Sequence, residues 1–230
     1  MDRIKQEPDY ILKSLSPVRK AIANRVCWSF KNIPQFDLHM DVDASAFVQA
    51  KEAILVKAED IIPSYNDMFI FCACRALEKF PELNAHFTDE GIKEFKEVNI
   101  GFAVATPEGV LVPVIRCANA MNLQEIAKSS SELIKLAKNG RLRSSLQTHA
   151  TFTISSLGAF GIDSFNAIIN PPQVAILAVG SIIKKPGIRD NKLLLIDTLH
   201  LTLTVDHRAI DGDLAANFLV ELSNKILNFC

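Results

Sequence analysis

One histidine lies between an aspartate and an arginine in the run L-T-L-T-V-D-H-R-A-I-D-G, which spans residues 201–212. Leu201, Leu203 and Val205 alternate with Thr202 and Thr204, the period of a strand with one buried face. The strand runs into Asp206, His207 and Arg208, and a turn closes at Asp211 and Gly212 before a capped, apolar-striped helix over 211–229. His207 and Asp211 therefore sit four positions apart in the connection where a strand stops being covered. Such strand ends hold reactive side chains rigidly at a cleft. Two plainer readings compete. In one, His207 belongs to a solvated loop and Asp211 only caps the last helix. In the other, His207 with Asp206, Asp211 and Asp213 ligates a metal, although no second histidine lies nearby, and carboxylates at a helix start often serve the dipole instead.

A second reactive stretch is T-F-T-I-S-S-L-G-A-F-G over 151–161, followed by N-P-P-Q-V-A-I-L-A-V-G over 170–180. Here a strand ends in Ser155 and Ser156, with Gly158 and Gly161 just beyond. A serine at a strand end is usually a turn residue. There is no G-x-S-x-G elbow, so a hydrolase nucleophile is not indicated. The cysteines Cys27, Cys72, Cys74, Cys117 and Cys230 form no C-x-x-C pair, and most stand in apolar runs. They read as reduced, buried hydrophobes in a reducing compartment rather than as disulfides or metal ligands.

The elements that must position these residues follow from pattern and punctuation. Residues 1–13 read as a mobile leader and 14–230 as a single domain. Ser16 and Pro17 read as an N-cap and first turn for a helix carrying Val18, Ile22, Val26 and Phe30, ended by Pro34. Phe36, Leu38, Met40 and Val42 alternate as a half-buried strand. A helix is expected over 44–60, and another over 67–80, capped by Asn66 and stopped by Pro81. Residues 98–105 and 110–115 read as a hairpin around a turn at 107–109, with Pro113 marking an edge or bulge. Asn122 opens a helix that stops at Asn139 and Gly140. Strands are expected at 151–155, 174–179, 193–196 and 199–205. Hairpins outnumber strand-helix-strand units, so the fold class is α+β, a mixed sheet flanked by helices, rather than a doubly wound parallel fold.

Of the 230 residues, 49% are hydrophobic and 22% charged, which suits a large buried core. A formal net charge of −1 lacks the basic surplus of a general nucleic-acid binder. The polar start offers no signal-peptide core, and the longest apolar stretch, 68–74, falls short of the ~20 residues a bilayer requires. Neither export nor membrane insertion is expected.

Taken together, the motifs resemble the catalytic domain of dihydrolipoamide acyltransferases, the E2 components of 2-oxo acid dehydrogenase complexes, which are related in fold to chloramphenicol acetyltransferase. The D-H-R-x-x-D-G run lies with its histidine 52 residues after Ser155. S-P-V-R-K-A-I-A-N-R at 16–25, P-E-L-N-A at 81–85, N-I-G-F-A-V-A-T at 99–106 and L-V-P-V-I at 111–115 follow the family's order along nearly the whole chain. The resemblance implies a trimer whose active site lies between subunits, with His207 from one as general base and Ser155 from its neighbour donating to the oxyanion. It implies coenzyme A as substrate, a lipoyl group on a separate domain or carrier, and no metal. Asp211 becomes a structural residue holding the turn through an ion pair with an arginine of the first helix, Arg19 before Arg25. Gly212 is expected where a side chain lacks room or φ is positive, and Asp206 is expected to orient backbone rather than imidazole. No coenzyme-contacting residue is assigned.

The implied partners are two further copies in a homotrimer, a 24-mer or 60-mer core, and the dehydrogenase and dihydrolipoamide dehydrogenase components. The implied compartment is the bacterial cytoplasm or the mitochondrial matrix. Acetyl leads branched-chain and succinyl groups as the acyl group, from residues 155–158 and 170–172. Two departures stand out: members commonly carry Gly-Gly where His149 and Ala150 stand, and often a lysine at Phe71. Lipoyl and subunit-binding domains, which full-length members carry upstream, are absent from these 230 residues. Two alternatives therefore stay open: a stand-alone coenzyme A acyltransferase with a non-lipoyl acceptor, and a catalytically idle trimeric assembly core.

Overall fold

The structure is a computed structural model describing residues 9–56, 61–189 and 191–229. In chain order the elements are α1 (Pro17–Asn32), β1 (Gln35–Asp43), α2 (Ser45–Val56), α3 (Tyr65–Leu77), β2 (Ala85–Thr88), β3 (Gly91–Glu94), β4 (Ile100–Phe102), β5 (Val104–Thr106), β6 (Gly109–Leu111), β7 (Val114–Ile115), α4 (Leu123–Lys138), β8 (Phe152–Ser156), β9 (Ala175–Arg189), β10 (Lys192–Asp206) and α5 (Gly212–Leu227). Six strands form one sheet in the order β1-β10-β9-β8-β4-β7. The β4-β8 and β8-β9 pairs are parallel and the others antiparallel, so the sheet is mixed as expected.

Strand alternation divides the sheet into two unlike faces. Leu199, Leu201, Leu203, Val205, Phe152 and Ile154 join the main core with Phe47 of α2, Met68 of α3, Ile126 of α4 and Phe218 of α5. The opposite face carries Ile176 and Ala178, which cluster with Ile33, Ala167 and Ile169. There α1 buries only Ser29, whose hydroxyl donates to the Ile169 carbonyl at 2.6 Å. The helices thus leave part of the second face uncovered.

Local signals explain most boundaries. Ser16 caps α1, its hydroxyl accepting from the Arg19 amide at 3.1 Å. Asn122 and Glu125 form a reciprocal capping box at α4, and Gly140 takes φ +65° just past its end. The cap of α3 is Ser64 rather than Asn66: Ser64 and Asp67 cap each other, which starts the helix two residues earlier and buries Asp67. The expected strand over 98–105 is split into β4 and β5, and its partner is split at Pro113 into β6 and β7. Proline has no amide to donate, but its carbonyl still accepts from Phe102 at 3.1 Å. The three strands expected between 174 and 205 are two strands of 15 residues, with a register shift at His200. Their far ends, 184–189 and 192–197, run past the sheet as a two-stranded ribbon. The β2-β3 hairpin has no counterpart in the sequence reading. Residues 57–60 of the helix expected over 44–60, and 1–8 of the leader, lie outside the described residues; 9–16 form no helix or strand.

Candidate active site

The end of β10 is a tightly bonded turn. The buried carboxylate of Asp206 accepts from the Arg208 amide at 3.1 Å and from its guanidinium at 2.9 and 2.6 Å. The Asp206 carbonyl accepts from the amides of Ala209 and Ile210, and Ile210 is a buried plug. Asp206 therefore orients backbone, as expected. The arginine, missed from the sequence, also lies over the Phe87 ring at 4.1 Å and ties β2 to the turn. The Asp206 carboxylate beside it raises the guanidinium's already high pKa further. With its neighbours fixed, the His207 amide donates to Pro34 at 3.0 Å, and its exposed ring rests 5.2 Å from Phe36.

Asp211 occupies the N-cap position of α5 with extended backbone but makes no side-chain cap bond. Within the chain the expected ion pair with α1 is not formed. Arg19 lies instead against the β5-β6 turn, where a side chain on Gly109 would meet its guanidinium at 3.4 Å, and Arg25 donates to the Pro171 carbonyl at 2.5 Å. Burial lowers the Arg25 pKa. The expectation for Gly212 is also corrected. It begins α5 without positive φ, and a Cβ there would meet Phe36 at 3.5 Å, an ordinary contact. Among the described residues, no group of three or more His, Cys, Asp and Glu side chains is arranged to hold a metal.

Ser155 stands at the end of β8, half-buried, on the incompletely covered face. It lines a cavity of about 360 Å³ with Ile22, Arg25, Val112, Phe165 and Ile176. A larger cavity of about 600 Å³ adjoins it, sharing Ile22, Arg25, Val112 and Asn170. Among the described residues the Ser155 hydroxyl has no protein hydrogen-bond partner. The loop beyond it packs so closely on β9 that a Cβ on Gly180 would lie 1.7 Å from the Asp163 carbonyl oxygen. Both family departures have structural addresses. His149 adopts φ +67°, a conformation glycine takes without strain. Phe71 packs in the helix layer, edge-on to Phe229 and under Arg75.

The two reactive side chains do not meet within one chain. Ser155 is in register with Ala178 on β9, which pairs with Thr202 on β10, five residues before His207. At ~3.3 Å per residue and ~4.8 Å per strand, the offset is about 16 Å along the sheet and about 10 Å across it.

A mixed sheet with its helices concentrated on one face defines the class, the chloramphenicol acetyltransferase-like fold. A chloramphenicol acetyltransferase covers 88% of the chain with a TM-score of 0.58 at 13% identity, a likeness of fold alone. The family of 2-oxoacid dehydrogenases acyltransferase (catalytic domain) matches residues 7–229, and the chain belongs to it. A probable dihydrolipoamide acetyltransferase from Listeria monocytogenes is 36% identical, with a TM-score of 0.90 over 96% of this chain and 95% of its own. The dihydrolipoamide acetyltransferase of Azotobacter vinelandii gives 30% and 0.89 over 96% and 92%. Among curated relatives, the acetyltransferase component of the Rickettsia prowazekii pyruvate dehydrogenase complex is 34% identical over 92% of the chain and 52% of its own length. The chain spans about half the length of the curated relatives it matches.

Proposed function

We propose that the chain transfers an acetyl group between dihydrolipoamide and coenzyme A, in a site completed when His207 of one copy meets Ser155 of another in a homotrimer. The observation that carries this reading is the separation of the two half-sites, each incomplete in its own chain. The spacing agrees as well. In the A. vinelandii enzyme, the serine, histidine and asparagine investigated for catalytic roles are separated by 52 and 4 positions, as are Ser155, His207 and Asp211. Docking of one copy's turn at another copy's cavity would also carry Asp211 toward the α1 that holds Arg19 and Arg25, the partners it lacks at home.

The mechanism follows from the groups present. A thiol with an ordinary pKa of ~8.5 is mostly protonated at neutral pH, while the thiolate is the nucleophile. Imidazole takes that proton as sulfur attacks the thioester carbonyl, help worth roughly 10²–10⁴ in rate. The carbonyl becomes a tetrahedral oxyanion, to which the Ser155 hydroxyl donates, worth about 10². Collapse expels the second sulfur, which recovers the proton from His207. No acyl-enzyme forms, so neither Ser155 nor any cysteine acts as nucleophile.

By likeness to its relatives, the domain works in a 2-oxo acid dehydrogenase complex, in a bacterial cytoplasm or mitochondrial matrix, beside the dehydrogenase and dihydrolipoamide dehydrogenase. Among the described residues no helix is long and apolar enough to cross a membrane. The test supplies acetyl-CoA with dihydrolipoamide and follows free coenzyme A. Turnover with dihydrolipoamide is expected; turnover only with amine or hydroxyl acceptors, or none, would remove the reading.

A further inference from the structure

We propose that His39 and His200 form a two-imidazole seat for a divalent transition-metal ion on the outer face of the sheet, at a place distinct from Ser155 and His207. The two residues lie on adjacent strands: His39 pairs with Thr202, and Asp41 with His200. The β1-β10 register is unbroken through these positions, so His39, Asp41, His200 and Thr202 share one face of the sheet. In that ladder His200 is the diagonal neighbour of His39, within reach of aromatic and long side chains. The rings stand 5.6 Å apart, and Nε2 of His200 faces Nδ1 of His39 at 3.4 Å.

The tautomer is fixed from behind. A carboxylate only accepts, so the 2.7 Å contact requires His200 Nδ1–H to donate to Asp41 Oδ1. In the neutral ring this leaves the Nε2 lone pair pointing at His39. A carboxylate behind an imidazole, setting its tautomer and raising its basicity, is the usual support of a metal-bound histidine. Two nitrogens held at ~2.05 Å by a tetrahedral ion lie about 3.3 Å apart, close to the spacing present. An ion would replace the single proton shared between those atoms. His39 Nδ1 also lies 3.1 Å from the Thr202 hydroxyl, which can rotate away.

The surrounding charge favours a cation. Asp37 and Asp41 share the β1 face with His39, and Asp163 approaches from the loop after β8. Asp37 accepts from Thr204 and Asn166, both at 2.5 Å. Among the described residues, the ammonium ion-paired with these carboxylates is Lys185 of β9, at 3.2 Å from Asp41 and 3.8 Å from Asp163. With two protein ligands, water completes the coordination. Imidazole donors suit nickel, copper and zinc.

Isothermal titration of tag-free, chelator-treated protein with Ni²⁺, near pH 7.5 and without thiol reductant, tests the site. One ion per chain is expected. His39→Gln and His200→Gln should each weaken binding at least tenfold, whereas His149→Asn, at an exposed histidine elsewhere, should leave it unchanged. Lowering the pH to about 5.5 should also weaken it at least tenfold, because protons compete for imidazole. A second measurement needs no variant: the electron paramagnetic resonance spectrum of bound Cu²⁺ should carry hyperfine structure from two imidazole nitrogens. Absence of saturable binding, undiminished affinity in the double variant, or a copper spectrum without imidazole nitrogen would overturn the proposal.

Discussion

The ends of β10 and β8 each present one reactive side chain, but they are built differently. At the end of β10, Asp206 and Arg208 lock the backbone while the histidine between them projects into solvent. At the end of β8, the serine lines a largely apolar cavity between α1 and residues 165–170. One end is a rigid projection and the other a lined recess. In the proposed reaction neither would suffice alone, because among the described residues the Ser155 hydroxyl has no protein hydrogen-bond partner and the two side chains do not meet within one chain. A projection and a recess are the complementary shapes that the proposed contact between copies requires.

The largest expected effect breaks the comparison at its projecting end. His207→Ala should lower acyl transfer by roughly 10²–10⁴-fold, and Ser155→Ala by about 10²-fold. Steady-state rates check both. Because the imidazole is exposed and the serine only half-buried, thermal melts should stay close to wild type. A His207→Ala rate within threefold of wild type would remove the assigned base.

Next comes the clasp that makes the projection rigid. Arg208→Met leaves the buried Asp206 carboxylate without its ion pair, expected to cost about 3 kcal/mol in urea unfolding. The matching change at the recessed end, Arg25→Met, should cost much less, since Arg25 donates to a backbone carbonyl rather than to a buried charge. Equal costs would erase the structural contrast between the two ends.

The smallest effect concerns pH. His86 donates from Nε2 to the Ala150 carbonyl at 2.8 Å just upstream of β8, and burial, the main cause, lowers its pKa. The unfolded chain then binds the proton more readily than the folded one. Stability is therefore full above the ordinary histidine range near ~6.5 and declines as pH falls through that value toward the folded pKa. Chemical denaturation between about pH 7.5 and 5 should show that decline, and His86→Gln should flatten it.

Much of this was legible in the sequence because the signals were local. The Ser16 and Asn122 caps, the alternation of β1 and β10, and the break at Pro113 each lie within a few residues of the element they define. The motif order also exposed the family. What was not legible depends on contacts distant in sequence. Arg208 looks like a solvated charge until the fold places Phe87 beneath it. Asn66 looks as good a cap as Ser64 until Asp67 is seen to be buried against Ser130. The ion pair assigned to Asp211 and Arg19 had no local test, and the chain places the two apart. The far half of β9 is hidden because Pro186 and Gly187 interrupt the strand pattern, and β10 reads as two strands because polar Asp197 and Thr198 break its apolar run.

The central claim is that one active site takes its histidine and its serine from different copies. Equal amounts of His207→Ala and Ser155→Ala chains, co-assembled and assayed together, test it directly. In randomly mixed trimers, about one site in four joins an intact histidine to an intact serine, so the mixture should recover about a quarter of wild-type activity. A mixture no more active than the mean of its two parents, although the chains co-assemble, would contradict the account.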